Sequence, residues 1–308
     1  MNYAVIDLGS NSVRLSIYDC NGAQITKIFS KKEIAGLAGY ISNGILDTTG
    51  ILKACAVLND FKETAAKFVD VSAIRLFATA ALRNIANRDS AVKTIIEETS
   101  LVPDVLEGDE EAALGFSGVS RFTDCDNGVM IDIGGASTEL VLFKDHAVAD
   151  LVSLPIGCLN LSLNHVSEIV PNAKERRHIK AAVKEQFAKI AWAEGERHPL
   201  MVGIGGTLRA VAKLSRALFD LAPEQDTITA SHVKSLSALL KSHDAAIYRT
   251  VYQHIPERLL TLSPGVAILR QAVKTFGCET ISVSKYGLRE GYLLERVLKA
   301  DGGRGADE

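Results

Sequence analysis

The sequence predicts an α/β fold of two domains, each built on a mixed sheet, and three observations carry that prediction. The stretches Ile6-Asp7-Leu8-Gly9-Ser10-Asn11-Ser12 and Ile131-Asp132-Ile133-Gly134-Gly135-Ala136-Ser137 repeat one pattern. An apolar run enters an aspartate, a small-residue turn follows, and alternation resumes through Val13, Leu15 and Ile17 or through Leu140 and Leu142, which describes a strand, a tight turn and a return strand. Strand and helix patterns alternate after the first copy, as a mixed sheet requires. A turn-rich break, Thr123-Asp124-Cys125-Asp126-Asn127-Gly128, precedes the second copy and sets the expected domains at 1–122 and 123–287.

After the first hairpin, Asp47 offers an N-cap, and Ile51, Cys55, Leu58, Ala65 and Phe68 fall at helical spacing. Ala73-Ile74-Arg75-Leu76-Phe77 reads as a buried strand, followed by the turn Ala78-Thr79-Ala80-Ala81 and a helix carrying Arg83. Val102 to Leu106 reads as another strand, and Gly108-Asp109-Glu110-Glu111 opens the next helix. Past the second hairpin come a strand over 150–154, the turn Pro155-Ile156-Gly157, and a helix over 173–193. Met201 to Ile204 leads into Gly205-Gly206-Thr207, a third small-residue turn opening a helix. The remainder is mainly helical, with a strand over 280–283 and a closing helix over 288–299 expected to return to the first domain. The Gly-rich, charged tail 300–308 is expected to be disordered.

A chain of 308 residues with 47% hydrophobic content can bury two cores, and its net charge of −3 offers no bulk attraction to nucleic acid or an anionic membrane. The five cysteines are scattered, with no zinc-ligand or redox spacing, and read as reduced core residues of a cytoplasmic protein. The first strand starts almost at Met1 and no apolar run reaches spanning length, so neither a signal segment nor a membrane span is expected. None of the seven histidines has metal-ligand or triad spacing. The basic run Lys174, Arg176, Arg177, His178, Lys180, Lys184 on one helix could guide a long polyanion, but the balancing Glu175 and Glu185 favour a plain solvated face.

Glycine at the turns lets backbone N–H groups approach an anion, serine adds a hydroxyl donor, and an aspartate at the strand end can hold a metal or a water. Ser10, Asn11, Ser12, Gly134, Gly135, Ser137 and Thr138 are therefore the expected phosphate cradle, with Gly206 and Thr207 in the third turn. Arg83 and Arg209 follow small-residue turns at helix starts, where a guanidinium fork suits phosphate oxygens.

With these pieces in order, the chain resembles the exopolyphosphatase/guanosine pentaphosphate phosphatase family from Ala4 to about Leu298. The resemblance rests on Asp7 to Ser12, Gly108-Asp109-Glu110-Glu111-Ala112, Asp132 to Glu139, Leu154-Pro155-Ile156-Gly157-Cys158 and Arg289-Glu290-Gly291. It implies a two-domain actin-like (ribonuclease-H-like) fold with substrate in the interdomain cleft, and a short member without the C-terminal helical domains of longer ones. It also implies Glu111 as the base that activates water, Asp132 and Glu139 as the second pair of essential carboxylates, and Arg83 as the arginine of the Ala-Thr-x-x-x-Arg segment. Glu110 is read as a bland neighbour. Asp132 and Glu139, with Asp7 in support, suit Mg²⁺ or Mn²⁺. Where many members have a third glycine, this chain has Ala136, which the turn tolerates unless φ is positive.

The implied reaction is metal-dependent removal of terminal phosphate from inorganic polyphosphate, with guanosine pentaphosphate, and a place in the stringent response, as the near alternative. The missing C-terminal extension favours short polyphosphate or a nucleotide over long chains, and a homodimer is compatible with this reading. An actin-like kinase or ATPase is the more remote alternative, disfavoured by the Glu110-Glu111 helix start. A silent sensor would have lost the carboxylates.

Overall fold

The computed structural model describes residues 1–21, 24–121, 123 and 125–299. The tail 300–308 and Asp124 of the turn-rich break lie outside the described residues. The chain divides into two compact units, Met1–Glu110 and Glu111–Glu308.

In the first unit, β1 (Asn2–Leu8) pairs antiparallel with β2 (Val13–Asn21), which pairs with β3 (Gln24–Glu33). A small hairpin of β4 (Ile41–Ser42) and β5 (Ile45–Leu46) leads into α1 (Thr48–Ala65). Then follow β6 (Ile74–Ala78), α2 (Ala80–Arg83), α3 (Arg88–Thr99) and β7 (Pro103–Val105). The sheet order is β3-β2-β1-β6-β7, with β6 parallel to β1 and β7 parallel to β6. Asp47 caps α1 as expected, accepting from the Gly50 N–H at 2.7 Å. The helix stops at Ala65, so Phe68 lies beyond it and stacks on Phe29 of β3, with ring centroids 5.2 Å apart. Strand β3 carries no apolar alternation in sequence because it is a sheet edge, where Lys27, Lys31, Lys32 and Glu33 oppose further pairing.

Helix α4 (Gly108–Ser120) carries the chain into the second unit. There β8 (Gly128–Ile133), β9 (Thr138–Lys144) and β10 (Ala147–Leu154) form a meander, followed by α5 (Cys158–His165) and α6 (Ala173–Phe187). Next come β11 (Leu200–Ile204), α7 (Gly205–Phe219), β12 (Thr227–Thr229), α8 (Ala230–Leu239), α9 (Ala245–His254), α10 (Leu262–Phe276), β13 (Thr280–Val283) and α11 (Leu288–Tyr292). A π-helical stretch, Leu293–Leu298, continues α11. The helix expected over 173–193 ends at Phe187, and only a short 3-10 turn, Ala191–Ala193, follows.

The second sheet runs β10-β9-β8-β11-β13-β12, and β11 is parallel to both β8 and β13. Its first five positions repeat the first sheet: three antiparallel strands, then two parallel ones. The hairpin repeat in the sequence is thus the visible part of a duplicated sheet. Side chains alternate across β8 and β9. Val129, Ile131, Ile133, Leu140 and Leu142 face a core shared with α6, α7 and α10. Met130, Val141 and Phe143, joined by Val202 and Ile204 of β11, face Ala112, Phe116 and Val119 of α4.

Helix α11 crosses α4 at backbone contact. A Cβ at Gly118 would strike the Gly287 carbonyl, and one at Gly291 the Leu114 carbonyl. All five cysteines are free; four are buried, and Cys125 is partly exposed at the edge of the core under α4.

Candidate functional site

The two small-residue turns have one geometry. Gly9 donates its N–H to the Ser12 carbonyl at 3.2 Å, and Gly134 donates to the Ser137 carbonyl at 2.9 Å. A Cβ at either glycine would sit 3.1 Å from that same carbonyl, which explains the glycine without any positive φ. Ala136 also keeps φ negative, so alanine fits where a third glycine was the alternative. In the first hairpin Asp7 lies directly across from Arg14; in the second Asp132 lies directly across from Glu139.

The orientation of the turn peptides follows from what holds their carbonyls. Gly134 O accepts from Cys158 N at 2.9 Å, and Gly135 O accepts from Leu159 N at 2.8 Å and Asn160 N at 3.0 Å. Ala136 O accepts from Asn160 Nδ2 at 3.0 Å. These bonds also satisfy the first three N–H groups of α5, which would otherwise be orphans of the helix start. No peptide is cis, and a trans peptide points its N–H opposite its C=O. The N–H groups of Gly135, Ala136 and Ser137 therefore all point away from α5, forming a concave run of donors. The first turn is built the same way: Ser10 O accepts from Ala38 N at 3.0 Å and Asn11 O from Gly36 N at 2.9 Å, turning the Asn11 and Ser12 N–H groups outward.

Asp132 and Glu139 share a sheet face, because directly opposed residues in an antiparallel pair project to the same side. Glu139 is only 1% exposed. Ser153, its neighbour across β9 and β10, donates its hydroxyl to Glu139 Oε1 at 2.8 Å, so the buried carboxylate is held by a hydrogen bond. By strand parity this is the face covered by α4. The Phe116 ring lies 5.0 Å from Phe143, toward the far end of the β8–β9 pair, and Gly115 lies over Ile204 and Met130. The first turn of α4, with Glu111, therefore runs toward the end of the sheet that carries Asp132 and Glu139. Glu110 folds back so that its Oε2 accepts the Glu107 N–H at 3.0 Å, the acidic half of a capping box.

The third turn meets the same place. Gly205 opens α7 at φ +80°, and a Cβ there would collide with the Asp132 carboxylate. Thr207, expected at phosphate, is buried and donates its hydroxyl to the Ile133 carbonyl at 2.7 Å. Thr138 is likewise buried and donates to the Ile156 carbonyl at 2.7 Å. Both hydroxyls brace the ends of the hairpin. In the first unit Arg83 donates to the Leu106 carbonyl at 2.9 Å, tying α2 to the loop that opens α4.

Arg209 sits among charges. Burial and the neighbouring Arg289 guanidinium pull its pKa below the usual arginine value, Arg258 adds to this, and Asp132 and Glu290 oppose it. Arg258 and Arg289 are 8% and 9% exposed, and Glu290, whose Oε2 accepts the Gly287 N–H at 2.9 Å, is 2% exposed. Ser153, Asn160 and Arg258 carry no local signal in the sequence. Arg289 and Glu290 show there only as part of a motif, and Gly205 as the first residue of the third small-residue turn.

Two matched sheets, each with a strand that carries an aspartate one residue before its end and leads into a turn of outward-facing N–H donors, define an actin-like fold. The chain belongs to the Ppx/GppA phosphatase family, whose sequence profile matches residues 16–300. It is 25% identical over 312 residues to exopolyphosphatase 1 of Mycobacterium tuberculosis, covering 98% of this chain and 90% of that one. It is 26% identical over 308 residues to the guanosine-5'-triphosphate,3'-diphosphate pyrophosphatase of Photobacterium profundum, covering 96% of this chain and spanning 59% of that protein's length. The crystal structure of the Aquifex aeolicus Ppx/GppA family member is similar at a TM-score of 0.78 and 26% identity, covering 98% and 99% of the two chains. The fold of an exopolyphosphatase from Cytophaga hutchinsonii matches at a TM-score of 0.85 and 21% identity, covering 98% of each chain. No described helix is long and apolar enough to cross a membrane.

Proposed function

We propose that the chain hydrolyses the terminal phosphoanhydride bond of inorganic polyphosphate and releases orthophosphate. The observation that carries this reading is the juxtaposition of paired carboxylates, Asp132 and Glu139, with a turn whose three N–H donors face outward, under a helix whose first turn carries Glu111. Backbone amides and arginines bind phosphate without reading a base, which suits a repeating phosphate chain.

Glu111 acts as the general base that takes a proton from the attacking water, and its place in the first turn of α4 favours the ionised form. The N–H groups of Gly135, Ala136 and Ser137 hold the oxygens of the reacting phosphoryl group, and Arg209, with the buried Arg258 and Arg289 near it, neutralises charge that builds on them. Ser10, Asn11, Ser12 and Arg83 handle phosphate in the first unit. Asp7, with Arg14 directly across the strands, has a supporting role there.

Among the described residues no group of three or more His, Cys, Asp or Glu side chains converges as a ready-made metal cage. Two adjacent carboxylates do fit a divalent cation that draws its remaining ligands from substrate and water, the usual habit of Mg²⁺. Asp132 and Glu139 would hold Mg²⁺ or Mn²⁺, which supplies charge neutralisation on phosphate oxygens. The guanosine pentaphosphate reading stands beside the first because the relative in Photobacterium profundum is named for that chemistry.

Orthophosphate release from polyphosphates of several lengths, from guanosine pentaphosphate and from ATP with candidate acceptors, each with Mg²⁺ or Mn²⁺, tests the assignment. Release from polyphosphate is expected. Transfer from ATP to an acceptor with no release from the other two would refute it.

A further inference from the structure

We propose that Asn160 is a positioning residue for phosphate binding, acting through the second turn; this rests on the phosphate-hydrolase reading above. Its side chain spans two elements. Asn160 Oδ1 accepts the Gly157 N–H at 2.8 Å, which caps α5, while Asn160 Nδ2 donates to Ala136 O at 3.0 Å and reaches Pro155 O at 3.4 Å. Residue 157 must be glycine for this clamp to close, since a Cβ there would collide with the Gly135 and Ala136 backbone.

The duplicated turn shows what the clamp does. The third carbonyl of the first turn, Asn11 O, is held by a backbone donor, Gly36 N at 2.9 Å. The equivalent carbonyl of the second turn, Ala136 O, is held by the Asn160 carboxamide. The peptide joining Ala136 to Ser137 therefore owes its orientation to a side chain. That peptide also bears the Ser137 N–H, the last of the three outward donors. Without the carboxamide donor the plane can rotate, and the N–H leaves the common direction of its two neighbours. Asn160 itself touches no substrate.

The two halves of the clamp separate by mutation. Asn160→Asp keeps an acceptor for Gly157 N–H and loses the donor to Ala136 O; Asn160→Ala loses both. Titration of each protein with inorganic phosphate, alongside thermal unfolding and the amide NMR signals of Gly135, Ala136 and Ser137, reads binding apart from stability. Both variants are expected to bind phosphate roughly tenfold more weakly, the worth of one hydrogen bond to a charged group. Asn160→Asp, which keeps the α5 cap, should unfold at a higher temperature than Asn160→Ala, and its weaker binding should persist at high salt, where simple charge repulsion is screened. Wild-type affinity in Asn160→Ala, or recovery of Asn160→Asp at high salt, overturns the proposal. Wild type that binds phosphate without cleaving polyphosphate refutes the substrate reading alone and leaves the clamp standing.

Discussion

Replacing Gly205 by alanine isolates the geometry that matters most, because the structure contains its own control. Gly205 and Gly195 both have φ +80°. An alanine at either position costs about 1–2 kcal/mol of backbone strain, the usual penalty for a left-handed L-residue. They differ in surroundings: nothing lies within 4 Å of a Cβ built at Gly195, whereas one at Gly205 collides with the Asp132 carboxylate. Both variants should therefore lose that much stability in urea unfolding, and Gly205→Ala should lose more because of the collision. Gly205→Ala must also displace Asp132, and a shift near 1 Å at a reacting centre lowers turnover on the order of 10²-fold. Orthophosphate release under saturating substrate is the assay. If Gly205→Ala keeps turnover within about twofold of Gly195→Ala, then Asp132 does not act from the position that Gly205 makes room for.

Neighbouring glutamates should separate cleanly: Glu111→Gln lowers kcat by about 10²–10⁴ with little change in unfolding, whereas Glu110→Ala loses roughly 1 kcal/mol of helix-cap stability and keeps turnover. Thr207→Val leaves the buried Ile133 carbonyl without its donor and should destabilise the fold by about 1–3 kcal/mol, measured by chemical denaturation. Burial pushes the Cys278 thiol up to about 12 from 9.0, so the unfolded chain loses that proton first as pH rises. Stability present below pH 9 should fall through the window up to 12, by about 1.4 kcal/mol per pH unit from this group, and a Cys278→Ala chain should show a flatter profile.

How much of the site was legible depended on whether its parts were close in sequence. Asp132 and Glu139 lie one pair beyond a four-residue turn, so hairpin geometry alone makes them face each other. The N-cap at Asp47 and the helix start at Gly108 were legible for the same local reason. Strand β3 was hidden by its charges, and the end of α6 by apolar residues that continue the helical spacing beyond Phe187. Thr138 and Thr207 look in sequence like phosphate donors, but their hydroxyls meet the Ile156 and Ile133 carbonyls, partners 18 and 74 residues away.

The sequence by itself determined the duplicated strand-turn-strand device, its aspartates and the mixed-sheet class, because hydrophobic period and turn chemistry are local properties of a chain. Only the tertiary structure decided which way the turn peptides point. That direction comes from α5 and from residues 36–38, which take the turn carbonyls and so leave the opposite N–H groups pointing outward. Tertiary structure likewise gathered Arg209, Arg258, Arg289 and Glu290 from three separate helical segments. Burial then strengthens the charges' influence on one another, an effect that no spacing in the sequence records.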